Sequence, residues 1–205
     1  MIHLFGRGRN RRSRGQSLVE FTMIIPILMT MTLIIAEFGV AFGTNMTMVE
    51  ATREGARVGA VLVNGAGSFG CTGFTGSANV DPQIIAAVQR AIESPGSGVA
   101  LANVDWIHIY QVDKDGNTVA LSTNEWKVKK GTDADTKVCG VTLDFTQISV
   151  QWPASARNST LPVTSIGVSI QYEYQPFTPL FAIAGLAGIH QVTMVDSTVM
   201  ALEPS

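Results

Sequence analysis

Charge is scarce in this 205-residue chain: Asp, Glu, Lys and Arg make up 15% of it, while hydrophobic residues reach 46%. Disorder driven by charge is thereby excluded, and the positive mean hydropathy makes a membrane segment an expectation. Acidic residues are absent from the first 15 positions, which hold five arginines, Arg7, Arg9, Arg11, Arg12 and Arg14. Taking those five from the 14 basic residues leaves nine against 16 acidic ones, a charge of −7 on the remaining 190 residues. A body that acidic lacks the basic footprint of nucleic-acid binding, so no nucleic-acid partner is expected.

Histidine and cysteine are equally sparse. His3, His108 and His190 have no second histidine or cysteine at metal-ligand spacing, so neither a metal nor a cofactor is expected. The string GAGSFG, Gly65 to Gly70, has the GxGxxG spacing but follows a helical pattern and leads into more loop, the wrong context for a dinucleotide site. Ser68 in AGSFG misses the first glycine of a GxSxG elbow. Asp113, Asp115 and Asn117 imitate the start of a calcium loop, but Gly116 comes two places too early and a hairpin turn accounts for them. No catalytic constellation remains, and an enzyme is not expected.

What the chain does contain is a long apolar run. Residues 21–36 and 38–49 carry no charge, and Glu37 alone interrupts them. A secretory signal peptide has an apolar core of about 7–15 residues, too short for this run, whereas a transmembrane helix needs about 20. Arg11-Arg12 is not followed by the apolar residues of a twin-arginine export signal. The preceding arginines put the N-terminus in the cytosol and everything beyond Gly43 outside. There, Cys71 and Cys139 read as a disulfide, because the compartment oxidises thiols and no CxxC is present; two unrelated buried thiols are the alternative.

Helical spacing continues past the membrane through Ala51, Gly55, Val58, Gly59 and Leu62, with Glu50, Arg53, Glu54 and Arg57 on the other faces. One helix from Leu18 to Leu62 would be about 65–70 Å long, so about half of it would project from the bilayer as a stalk. Gly39/Gly43 and Gly55/Gly59 have the GxxxG spacing at which helices pack closely. After a Gly- and Ser-rich loop, Asp81 as N-cap and Pro82 at the first helical position open a second helix with an apolar stripe, which Pro95-Gly96 stops. Strands are expected at 104–112, 118–121, 145–152, 164–174 and 191–200, with a hairpin at Asp115-Gly116. The fold class is therefore α+β: a long N-terminal transmembrane and stalk helix, then a head with a short helix and a mainly antiparallel sheet. The apolar segment FTPLFAIAGLAGIH, 177–190, is short for a membrane span and would lie on the membrane, pack in the core or meet a partner.

A glycine after basic residues, four positions, a glutamate, an aromatic and a long apolar helix stand together in RGQSLVEFTMIIPILM. This stretch resembles the class III signal of type IV pilins and pseudopilins. Val19, Glu20, Phe21 and Pro26, the EATREGARVGA segment (Glu50 to Ala60), VSIQYEYQPFTPL and the final MALEP narrow the resemblance to TadE-like pseudopilins of the tight-adherence pilus. The middle of the chain, 64–162, carries no such likeness.

The resemblance implies cleavage by a prepilin peptidase between Gly15 and Gln16, dividing the chain into a cytosolic leader (1–15), a transmembrane and stalk helix (16–63) and an extracytoplasmic head (64–205). It further implies a minor pilin of the bacterial inner membrane whose partners are other pilin or pseudopilin subunits and the pilus assembly platform. Glu20 and Phe21 are the implied assembly residues. In a bundle of helices an unpaired carboxylate is expensive, and the new amino terminus at Gln16 of a neighbour would supply its partner. The rival is a single-pass, membrane-anchored binding or adhesion protein that never enters a filament.

Overall fold

The computed structural model of the chain describes residues 13–65, 71, 73–158, 164–178 and 191–203. The leader up to position 12 with His3, all but Gly65 of the GAGSFG string, and positions 179–190 of the apolar segment, His190 included, lie outside the described residues.

Helix α1 runs from Ser13 to Leu62, 50 residues and about 75 Å. Pro26 stands inside it without ending it. Apolar side chains surround this stretch, and hydroxyls there bond their own helix: Thr22 Oγ1 donates to Leu18 O at 2.8 Å and Thr30 Oγ1 to Pro26 O at 2.7 Å. Such back-bonding lets a polar residue sit in an apolar run without an outside partner. The helix stops where Val63 and Gly65 turn to positive φ and the Gly65 N–H donates to Leu62 O at 2.7 Å.

Helix α2 (Val80–Ile92) packs along the second half of α1. Strands β1 (Val104–Val112), β2 (Thr118–Val128), β5 (Phe145–Ser149), β6 (Ser165–Tyr174) and β7 (Val192–Ala201) form a five-stranded sheet in the order β5-β2-β1-β6-β7, every neighbouring pair antiparallel. Strands β3 (Lys137–Val138) and β4 (Val141–Thr142) make a separate small hairpin. Alternation sends Ile107, Ile109, Val168, Ile170 and Trp126 inward, all buried, and Trp106, His108 and Tyr110 to the opposite, half-exposed face. On that face Tyr110 lies across Gly167, where any Cβ would collide with the phenol ring.

Several expectations need amending. Residues 118–121 are only the start of β2, which reaches Val128 through a bulge marked by the positive φ of Leu121. The strand expected over 145–152 ends at Ser149, since Gln151 and Trp152 turn in to bond Asn124. Asp81 does not cap α2. The helix begins at Val80 after a 3₁₀ turn at Ser77–Asn79, and the Asp81 carboxylate turns inward to Arg157 and, at 2.7 Å, to Asn124 Nδ2. Nor is α2 buried along a single stripe, because residues 142–144 cover it as well: Gln89 bonds Thr142 O and Asp144 from a buried position.

Candidate functional site

Helix α1 divides at about Thr44. Before that point its large apolar side chains stand in the open, from Leu18, Val19 and Phe21 through Ile27, Met31 and Ile35 to Phe42. The most apolar eighteen-residue stretch contains no buried residue, which separates it from the core helix of a globular domain. By length and composition it is a candidate membrane span, in keeping with the anchor the sequence suggests. Beyond Thr44 the same helix is part of the head: Met48, Ala51, Thr52, Ala56, Val58, Ala60 and Leu62 are buried against α2, β6 and β7. This second half is core and not a free stalk.

Small residues explain the seam. A Cβ at Gly55 would stand 2.5 Å from Val88 Cγ2, and one at Gly59 would stand 2.6 Å from Ile166 Cδ1 and 3.0 Å from Ile84 Cδ1. The second GxxxG pair thus brings α1 onto α2 and β6 of its own chain, whereas Gly39 and Gly43 face open space. Thr52 Oγ1 donates to Asp196 Oδ2 at 2.5 Å, and the Glu203 N–H reaches Ala60 O at 3.0 Å, so β7 runs alongside α1.

Near the N-terminus, Gly15 has nothing within 4 Å of its would-be Cβ, and Gln16 to Phe21 are absent from the core. Glu20 is exposed and accepts a bond from Gln16 Nε2 at 3.0 Å, one helical turn back. Glu37, by contrast, is 4% exposed although it lies in the apolar run. Its Oε1 accepts the Tyr174 hydroxyl at 2.6 Å and the Phe177 N–H at 3.2 Å, and its Oε2 accepts the Thr178 hydroxyl at 2.6 Å and N–H at 3.0 Å. Burial, then the adjacent carboxylate, push the Tyr174 phenol above the ordinary tyrosine range. These four donors satisfy the carboxylate within the chain, without any tilt of the helix. The only hint of its partners was the cost of an acid in an apolar run, which demands donors somewhere.

Cys71 and Cys139 form a disulfide with Cα atoms 5.2 Å apart. Cys139 and Gly140 both have positive φ, the signature of a type I′ turn, so the bridge ties the tip of the β3–β4 hairpin to the loop before α2. A groove beside it is lined by Glu50, Glu54, Arg57 and Arg90. The Arg57 guanidinium bonds Glu54 at 2.8 Å and holds its carboxyl below the usual range. On the far sheet face the Trp106 and His108 rings stack at 3.8 Å, and His108 Nε2 lies 3.3 Å from Glu125. Among the described residues, no group of three or more His, Cys, Asp or Glu side chains gathers at metal-binding distance.

No curated protein and no solved structure matches the chain. Residues 15–57, however, match the family model described as TadE-like protein. That match begins at the glycine before the apolar run and ends within the small-residue seam, so it takes in both halves of α1 and leaves α2 and the sheet outside. In its first helix the chain is TadE-like, a likeness to the pilins of Tad pilus systems.

Proposed function

We propose that the chain is a minor pilin or pseudopilin that takes part in assembling a Tad-type adhesive pilus, working by packing and not by catalysis. One observation carries this: the TadE-like match takes in an apolar stretch of α1 whose side chains all stand outside the fold. Side chains of that kind are held by lipid first and can then be handed to neighbouring helices. The arginines keep the N-terminus cytosolic and the head extracytoplasmic. A prepilin peptidase cuts between Gly15 and Gln16, which the open surroundings of Gly15 permit. The other partners are pilin-like subunits and the assembly platform.

Glu20 acts at assembly. At the cytosolic border its carboxylate reaches water and costs the isolated subunit little. Inside a bundle it needs a cation, and the new amine at Gln16 of a neighbour supplies one, with Phe21 packing beside it. Losing one member of a buried pair costs about 3–5 kcal/mol, against about 0–1 for a surface pair. The test is co-expression with the prepilin peptidase, followed by mass measurement of the N-terminus and crosslinking to pilin partners. The expected result is a terminus at Gln16, with Glu20→Gln processed and membrane-resident but not crosslinked. A chain that keeps its leader, or a Glu20→Gln variant that crosslinks normally, sinks the filament reading and favours a lone membrane-anchored binding protein.

A further inference from the structure

Helix α1 exposes more apolar length than a bilayer core requires. From Leu18 to Met46 the exposed run covers about 42 Å at 1.5 Å per residue, against about 30 Å of hydrocarbon, so the span could in principle end near Ala36 or near Met46.

The surroundings of Glu37 decide between the two. Its four donors come from the end of β6 and from the irregular backbone of residues 175–178, where Gln175 and Phe177 are exposed. Higher up, Thr47 Oγ1 donates to Ser97 O at 3.0 Å, bringing the irregular chain after α2 to the level of residue 47. Irregular backbone open to lipid does not occur within the hydrocarbon region, because its polar groups would go unsatisfied there. The hydrocarbon must therefore end at or below the level of Glu37. Counting back, the 20 residues Ser17–Ala36 supply about 30 Å of helix, the full thickness of the core.

We propose that the outer surface of the bilayer lies at Glu37 and that the base of the head, residues 174–178, rests directly on the lipid headgroups. Glu37 is the positioning residue that holds this base to the helix. Phe38 and Phe177, 69% and 59% exposed, flank it at the boundary between headgroups and acyl chains, where apolar side chains can be buried from water. Phe42 and Met46 stand about 7 and 13 Å above Glu37, clear of the hydrocarbon. This describes the subunit in the membrane and holds whether or not it later enters a filament.

The test uses the full chain in phosphatidylcholine vesicles whose acyl chains carry bromine either near the headgroup or near the chain end. Tryptophan is placed one position at a time, as Ile27→Trp, Phe38→Trp, Phe177→Trp or Met46→Trp, over the constant background of Trp106, Trp126 and Trp152, all in the head. Deep bromine should quench Ile27→Trp most, shallow bromine should quench Phe38→Trp and Phe177→Trp, and neither should quench Met46→Trp. Deep quenching of Met46→Trp equal to that of Ile27→Trp would place the span higher and overturn the proposal. Glu37→Gln should raise hydrogen exchange at the Phe177 and Thr178 amides at least tenfold while β1 and β6 stay protected. Tyr174→Phe, which removes one donor and keeps the ring, should raise it several-fold even if Glu37→Gln fails to fold. Unchanged exchange in both variants would remove Glu37 from the role assigned to it.

Discussion

The two halves of α1 share one backbone and one helical period, yet they belong to different environments. Residues 18–42 carry bulky apolar side chains on every side and touch the head chiefly through Glu37; residues 48–62 alternate Ala, Gly and Thr with larger residues and are buried in it except where Glu50, Arg53 and Arg57 face outward. Side-chain size makes the difference. A helix ringed by Leu, Ile, Met and Phe presents no flat face to a sheet, and only solvent matched on all sides, lipid or other such helices, can surround it. A helix with glycines at a four-residue interval lets Ile84, Val88 and Ile166 close on its backbone. The same GxxxG spacing is filled from within the chain at Gly55/Gly59 and left open at Gly39/Gly43.

The strongest way to break the packed half without touching the exposed one is to unpin the structures that cover it. Arg157 and Asp81 form a buried pair, completed by Asn124 and by the guanidinium lying 4.6 Å over the Trp152 ring. Arg157→Ala leaves Asp81 buried without its cation, and chemical denaturation should show a loss of about 3–5 kcal/mol in head stability. Disulfide reduction comes close behind. The bridge closes a loop with a sequence separation of 68, and Cys71→Ser with Cys139→Ser should cost up to about 4 kcal/mol in the chain-entropy model. The same denaturation measurement checks it, with and without reductant.

Smaller effects sharpen the contrast between the glycine pairs. Gly55→Val forces Val88 and Val168 apart and should cost about 1–3 kcal/mol of head stability by overpacking. Gly39→Val and Gly43→Val meet nothing and should leave head stability within about 0.5 kcal/mol. A matched drop from both pairs would mean that the open pair also packs against the head.

Periodicity carried most of the fold: the length of α1, the existence of α2, and strands β1, β6 and β7 all follow from apolar spacing in single segments. The departures arise where a side chain serves a distant element. Asp81 reads as a cap until Arg157 and Asn124, 76 and 43 positions away in sequence, claim its oxygens. The polar run Ser122-Thr123-Asn124-Glu125 hid the continuation of β2, because Asn124 is buried for its bonds to Trp152 and Asp81 and not for apolar character. Of the candidate site, Gly15, Gln16, Glu20 and Phe21 stand together on local spacing alone. Glu37 could be flagged as costly from composition, but its partners Tyr174 and Thr178 are 137 and 141 positions away and carry no local signal.

The central claim, that one half of α1 serves other subunits while the other half serves its own head, is tested most directly by a photo-crosslinker scanned along α1 in cells that express the pilus. A probe at Ile27 or Ile35 should capture other pilin-like subunits, and a probe at Val58 should capture only α2 or the sheet of its own chain. Intermolecular products from Val58, or none from any position between Leu18 and Phe42 under conditions in which pili form, would contradict it.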